Sequence, residues 1–411
     1  MSKACMVFPS YWARKKEEGW IPGDAVYDHP IPLDEEGTLL RALKSLQVLD
    51  FKDFEVVVIA VPTSDAIADA VEEKVSGIIR EAKKEVDIPI HLFGASHLRE
   101  IHEELEREGR GEFKDLVQLR GYSNIRNLCV FVPHLLGKTV AILIDDDEVF
   151  EDSRFMDKAL EYVGGAIDGD TVYAIAGYYL QPDGGYLVKK VHEPWMDYWD
   201  QMERMNEAFE KFIGRPPRLK VTPFVFGGNM VIHRELFMKI PFDPLVPRGE
   251  DIDYLINARM FGYKFYLDNT LSIKHLPPPK THPVWRRLRE DVFRFLFERE
   301  KIRHQKEREG MIKVQPEDFD PYPGAFLKDD LEKKVERASA VLSEMYKKQG
   351  DPEGAEESLK TVSLMREAME EGGDPFDDFI QLQRKWEQLM AHIAEPNIRS
   401  KFQDILSRIL V

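Results

Sequence analysis

The sequence predicts an α/β protein, a mostly parallel sheet sandwiched by helices, followed by an all-helical C-terminal extension. Three observations carry that prediction. Short apolar runs alternate with amphipathic stretches through the first half of the chain, the pattern of parallel strands joined by helical crossovers. The run Thr139–Ile144 (TVAILI) stops abruptly at Asp145, as a buried strand does where its carboxyl end meets a polar site. Beyond Pro316–Gly324 the apolar residues recur only at helical spacing.

Taken in order, Ala4–Pro9 (ACMVFP) reads as the first strand, and Glu35–Leu49 carries Leu39, Leu40, Leu43, Leu46 and Leu49 on one helical face. Phe54–Val61 (FEVVVIAV) is a continuous buried strand, Ala66–Val86 a helix, Ile88–Phe93 a third strand, and Arg120–Leu128 the opening of another helix. After TVAILI come a strand at Thr171–Tyr179, a turn at Pro182–Gly185 and a helix at Trp195–Phe212. An apolar run with a Gly-Gly follows at Phe224–Val231, then a helix at Asp251–Phe261 ended by Gly262, and a short strand at Lys264–Leu267. The charge-rich stretch Arg287–Glu309 reads as a solvated helix face. In the tail, Leu327, Leu331, Val335, Ala338, Leu342 and Met345 form one helical stripe, and Phe379, Leu382, Trp386, Leu389 and Ile393 another. Gly350–Gly354 and Gly372–Pro375 are the breakers. The expected division is residues 1–300 for the α/β domain and 301–411 for three or four helices that cap it or form a homodimer surface.

Composition narrows the function. With 411 residues, 43% hydrophobic and 32% charged, the chain is long enough for one large core and an appendage. A net charge of −17 argues against a general nucleic-acid binder, which needs basic surface for phosphates. Cys5 and Cys129 are too few for a disulfide framework, and no apolar run reaches the ~18–20 residues of a membrane span. A cytoplasmic protein without stable membrane insertion is expected, and many Glu, Lys and Arg beside few Cys suit a thermophile.

Three motifs carry chemistry. Ile144 runs into Asp145, Asp146, Asp147 and Glu148; carboxylates at a strand's carboxyl end are unfavourable unless something positive joins them. Oxygen-rich clusters select hard cations such as Mg²⁺ or Mn²⁺ that bridge to diphosphate. In an extended chain Asp145 and Asp147 point the same way; the alternative is an acidic helix cap. Glu250-Asp251 follows Gly249 at the start of a helix, where a simple cap is again the alternative. His275 lies between a short strand and a run of prolines, a position a purely structural histidine also fits.

In this order the motifs resemble the GT-A glycosyltransferases, specifically the family-2 type and its relatives that glycosylate glycerate and phosphoglycerate. The resemblance covers Ala4 to His275. It implies a Rossmann-like GT-A fold and the following roles. Asp145, with Asp146 beside it, and Asp147 correspond to the donor- and metal-binding D-x-D, with His275 as a third metal ligand. Arg126-Asn127 resembles the R-N that precedes that strand, and Gly227-Gly228-Asn229 the acceptor loop. Glu250-Asp251 opens the helix that ends before Gly262-Tyr263-Lys264; in an inverting member Asp251 would be the general base, with Glu250 holding or replacing it, and in a retaining member the pair would bind acceptor hydroxyls instead. Pro9, Tyr11 and Asp65 stand where donor contacts are expected. Two departures are visible: Pro9-Ser10-Tyr11 leads into an insertion, Trp12–Leu33, and the second strand ends Ala60-Val61-Pro62-Thr63-Ser64-Asp65 rather than in an acidic cluster. The insertion reads as a surface loop, the alternative being contact of its Arg14, Lys15, Lys16 and Trp20 with a phosphorylated ligand.

The expected function is therefore metal-dependent transfer of a sugar from a nucleotide-diphosphate donor to a hydroxyl of a small soluble acceptor. The rivals are a phosphohydrolase of the haloacid-dehalogenase type, using the Asp145/Asp147 turn, a nucleotidyltransferase, and a non-catalytic binding protein whose acidic pairs are caps.

Overall fold

The computed structural model describes residues 3–189, 191–246, 248–278 and 282–407. The N-terminal half is built as expected from β-α units: β1 (Ala4–Ala13), β2 (Ile31–Pro32), α1 (Leu39–Ser45), β3 (Glu55–Pro62), α2 (Ala68–Ala82), β4 (Ile90–Phe93), α3 (Ala95–Arg107), α4 (Tyr122–Leu135) and β5 (Val140–Ile144). Helix α3 has no counterpart in the sequence reading; its stripe of His97, Ile101, Glu104 and Leu105 is half polar, which hides the apolar period. Side chains of β1, β3 and β5 alternate between two cores. Cys5, Val7, Val57, Ile59, Ala141 and Leu143 face one, and Met6, Phe8, Val56, Val58, Ile142 and Ile144 the other.

The second half adds β6 (Glu148–Val149), α5 (Phe155–Glu161), the hairpin β7 (Ala166–Ile167) and β8 (Asp170–Thr171), β9 (Ala174–Leu180), α6 (Gln201–Phe212) and β10 (Leu219–Val221). Then follow β11 (Asn229–His233), α7 (Arg234–Phe237), α8 (Glu250–Met260), β12 (Phe265–His275) and α9 (Val284–Arg303). The sheet runs β10-β12-β9-β11-β5-β1-β3-β4, with β2 on β1 and β6 on β12. It is parallel from β5 to β4, whereas β11 runs antiparallel to both β5 and β9. The expected helix at Trp195–Phe212 is two pieces, a 3-10 turn at Pro194–Asp197 and then α6.

The tail is four helices: α10 (Leu331–Gln349), α11 (Pro352–Glu371), α12 (Pro375–Ala394) and α13 (Pro396–Ser407). Its breakers act as caps. Gly350 ends α10 at φ +76°, Asp351 accepts from the Gly354 N–H, and Asp374 from the Asp377 N–H. The tail does not stand apart. Trp386 donates to the Phe237 carbonyl at 2.8 Å, Gln383 to that of Lys239 at 3.0 Å, and His134 bonds the Met390 carbonyl at 2.8 Å. One continuous core includes residues of α4, α8, α9, α10 and α12.

Helix α9 corrects one expectation and crosses the boundary drawn at residue 300. The charge-rich stretch is not a solvated face: Arg294, Glu298, Arg299 and Lys301 are all buried. The helix lies between the α/β body and the tail, so both its sides are covered, and its charges are mostly matched by partners. Arg299 makes a two-pronged pair with Glu332, at 2.6 and 2.9 Å. Lys301 reaches Asp253 at 2.6 Å and Asp243 at 2.8 Å. Burial pushes Glu298, whose oxygens have no hydrogen-bond partner, toward its neutral acid form. Among the described residues no helix is long and apolar enough to cross a membrane, and Cys5 and Cys129 are free and buried.

Candidate active site

The parallel register Val7↔Leu143 brings Pro9 and Ser10 beside the residues that follow β5. The antiparallel register Asn229↔Ile144 brings Gly228 beside Asp145 from the other side. A cavity of about 400 Å³ opens there, at the carboxyl ends of β1 and β5, the place where open α/β sheets bind ligands.

The acidic residues do not continue the strand. Asp145–Glu148 forms a turn closed by Glu148 N–H to the Asp145 carbonyl at 3.2 Å, so the carboxylates fan out instead of alternating. Asp145 faces Arg126 at 2.9 Å. Asp146 accepts from the Ser10 hydroxyl at 2.5 Å. Asp147 lies 3.3 Å from His275 Nε2, because β6 pairs with β12 in the register Glu148↔His275 and the Leu276 N–H binds the Asp147 carbonyl. Burial, then the Asp147 charge, pushes Asp146 up to about 7, against the lowering effect of Ser10. Glu148 is fully buried, accepts from the Asp145 N–H at 3.1 Å and is pushed well above the carboxylate range by burial and by Asp145 and Asp147.

Arg126 is the hinge of the site. Its buried guanidinium bridges Asp145 and Glu250, the latter at 3.1 Å, joining the acidic turn to the start of α8. Asp251 accepts from the Gly227 N–H at 3.0 Å and from the Ile252 N–H at 2.9 Å. Burial raises both Glu250 and Asp251, while Arg126 is the chief lowering influence on the first and Arg294 on the second. Gly228 admits no side chain. A Cβ there would lie 2.4 Å from Glu148 Oε1 and 2.7 Å from Asp145 Cγ, and its N–H donates to the Tyr179 hydroxyl at 2.7 Å.

The cavity thus gathers Pro9, Tyr11, Arg126, Asp145, Asp146, Asp147, Gly227, Glu250, Asp251 and His275. Four predicted residues do not line it: Gly228, whose N–H is held by Tyr179, and three that take other places. Asp65 is exposed at the start of a 3-10 turn and does not line the cavity. Asn127 is spent on the Phe242 backbone, donating to its carbonyl and accepting its N–H, both at 2.8 Å. Asn229 is buried, its amide holding the carbonyls of Tyr178 and Leu271.

Other lining residues carried no sequence signal. Tyr27, Asp28 and His29 come from the insertion, which is therefore more than a surface loop. Tyr11, Tyr27 and Tyr122 pack as an aromatic trio with centroids 4.6 to 5.6 Å apart. Tyr179 stacks on His275 at 4.7 Å. Arg294 and Tyr322 arrive from α9 and from the segment leading into the tail.

The chemistry of Asp147 and His275 fits a hard divalent cation: one carboxylate and one imidazole stand side by side in a cavity with excess negative charge. Asp145, turned toward Arg126, does not converge with them. Among the described residues, the three-membered group whose ligand atoms lie within 4.8 Å of one another is Asp28, His282 and Glu290. There Arg248 already occupies Asp28 at 2.7 Å and Glu290 at 3.0 Å.

No protein-family profile and no curated protein matches the chain. Similar solved structures include a mannosyltransferase, PcManGT from Pyrobaculum calidifontis, in complex with GDP-Man and Mn²⁺. That likeness has 16% identity, 96% of this chain, 88% of the other and a TM-score of 0.46. A mycobacterial protein follows at 15% identity, 72% of this chain and 73% of the other, TM-score 0.40. GalNAc-T7 with UDP, GalNAc and Mn²⁺ matches at 14% identity, 74% and 52%, TM-score 0.35. At these scores the likeness is partial, and the functional reading rests on this chain's own residues.

Proposed function

We propose that this chain is a GT-A-type, Mg²⁺- or Mn²⁺-dependent glycosyltransferase that moves a sugar from a nucleotide-diphosphate donor to a hydroxyl of a small soluble acceptor. One observation carries the reading: the Asp147–His275 pair, 3.3 Å apart, shares a cavity with the Glu250–Asp251 pair. The first would serve as a metal-ligand pair and the second as a proton acceptor within one space. Asp147 and His275 would hold the cation, which would supply Lewis-acid neutralisation of a diphosphate leaving group. Asp146, bound to Ser10, and Asp145, bound to Arg126, lie on the donor side. The Tyr11–Tyr27–Tyr122 trio lines the same cavity and would form an aromatic wall for a nucleobase. Asp251, held by the Gly227 and Ile252 N–H groups, takes the proton from the acceptor hydroxyl. Glu250, tied to Arg126, is a fixed neighbour of that base.

The test is donor turnover with a panel of nucleotide sugars, with and without Mn²⁺, in the presence and absence of small polyols and hydroxy acids. Mn²⁺-stimulated release of nucleoside diphosphate, faster with an acceptor, is expected. Release of phosphate from simple phosphomonoesters without donor turnover would instead mark the acidic turn as a phosphohydrolase centre. An undiminished rate in Asp251→Asn would reject Asp251 as the base.

A further inference from the structure

The wall beside Asp251 holds a charged group with no part in the reaction as described. Arg294, on α9, lines the cavity and is 6% exposed. Its Nη2 donates to the Tyr322 hydroxyl at 2.7 Å and lies 3.4 Å from Asp291, and its guanidinium packs over the Phe295 ring at 4.3 Å. Its Nε has no hydrogen-bond partner. The route of the side chain is built into the backbone. Gly249, which precedes α8, sits at φ +73°, and a Cβ there would come within 2.0 Å of Arg294 Cδ. Only glycine meets both the left-handed backbone and the passage of the arginine. The guanidinium is thereby brought to the helix N-terminus that begins with Glu250 and Asp251. A cation is unfavourable at that end of a helix dipole unless carboxylates offset it.

We propose that Arg294, clamped by Tyr322 and seated over Gly249, is the positioning residue for Asp251. Its fixed positive charge holds that carboxylate ready as proton acceptor, and Tyr322 makes the segment leading into the tail part of the active site. The inference rests on the glycosyltransferase reading, in which Asp251 is the base. Burial raises Asp251, and among the influences that lower it Arg294 comes first, ahead of the Ile252 N–H and Arg126. The groups facing the pair from the packed elements are Tyr11 on β1, Tyr122 and Arg126 on α4, Asp145 after β5, Arg294 and Glu298 on α9, and the Gly227 N–H. Asp145 and Glu298 are acidic, so Arg126 and Arg294 supply the compensation, and Arg126 is already shared between Asp145 and Glu250.

The experiment compares kcat/KM against pH for the full-length wild type, Arg294→Met, Arg294→Lys and Tyr322→Phe, with unfolding midpoints to confirm folding. In the wild type the rate falls on the acid side as the Glu250–Asp251 pair takes up a proton. Arg294→Met is expected to move that limb upward by about one pH unit or more. Arg294→Lys keeps the charge and holds the limb near its wild-type place, and Tyr322→Phe gives a smaller upward move. An unmoved limb in folded Arg294→Met overturns the proposal. So does a rise in acceptor KM alone, which would make Arg294 a substrate contact. If Arg294→Met does not fold, the limb in Tyr322→Phe decides by the same criterion. A wild type that turns over no nucleotide sugar overturns the functional reading itself, and this inference with it, before any variant is made.

Discussion

Asp251 and Asp253 stand two positions apart on α8 and face opposite kinds of surroundings. Asp253 lies in a closed knot: Lys301 donates to it at 2.6 Å, to Asp243 at 2.8 Å and to Asn257 at 3.3 Å, while Asn257 donates to Asp253 at 2.6 Å. All four are essentially without solvent contact. Asp251 belongs to an open group in which Asp145, Asp146, Asp147, Glu250 and Asp251 share a cavity with Arg126, Arg248 and Arg294. Arg248 is already committed to Asp28 and Glu290. The same helix thus shows charge used in two ways. In the knot one buried lysine and the Asn257 amide hold both carboxylates from within the chain, which fixes α9 against α8. In the cavity the fold holds carboxylates in place and leaves negative charge for something from outside to answer.

The strongest way to break this contrast is Lys301→Met. It strands two buried carboxylates, and a loss of about 3–5 kcal/mol in chemical denaturation is expected. Asp147→Ala should do the reverse. Stability should hold or rise, since a like charge leaves the cluster, while Mn²⁺-dependent transfer falls about 100-fold or more, roughly 3 kcal/mol of barrier. Kinetics and an unfolding midpoint on the same preparation check both halves.

Acid titration of stability sharpens the contrast further. Asp146 is raised from its ordinary value to about 7 and Asp253 to about 6. The folded chain therefore holds protons that the unfolded chain has released. The contribution is present below the unfolded carboxylate range and is lost as pH rises through about 4 to 7. Mn²⁺ should alter only the Asp146 part of that decline, because only the cavity is open to it. Unfolding midpoints across pH, with and without the metal, measure this. The smallest effect belongs to charge that is merely exposed. Lys306 pairs with Asp374 at 2.7 Å and with Asp377 but is half exposed, and Lys306→Ala should cost below about 1 kcal/mol.

Much of the α/β half was legible because its signals are local. FEVVVIAV and TVAILI, short and rich in β-branched residues, read as buried strands, and Gly249, Gly262 and Gly350 punctuate helices where they stand in the sequence. Of the candidate site, Asp145–Asp147, Glu250-Asp251 and His275 do meet in one cavity, whereas Asn127 and Asn229, read from motifs of the same kind, do not line it. The site was not legible where a partner came from far along the chain. Nothing near Asn127 announces that its amide closes on Phe242, nor near Tyr27 that it joins Tyr11 and Tyr122. The error at α9 has the same origin. Charged residues at helical spacing read as solvated unless the helix is known to be covered on both sides.

By itself, then, the sequence determined the strand-and-helix rhythm, the acidic turn after the TVAILI strand and the helical tail, because periodicity and turn chemistry act over a few residues. Only the tertiary structure decided that Asp145 turns to Arg126 and leaves Asp147 alone with His275. It alone made Lys301 a buried tie and brought Arg294 and Tyr322 to the cavity wall. Those outcomes depend on strand register and on helices packing across long sequence separations, where the burial of a charge is settled by whichever partner the fold delivers.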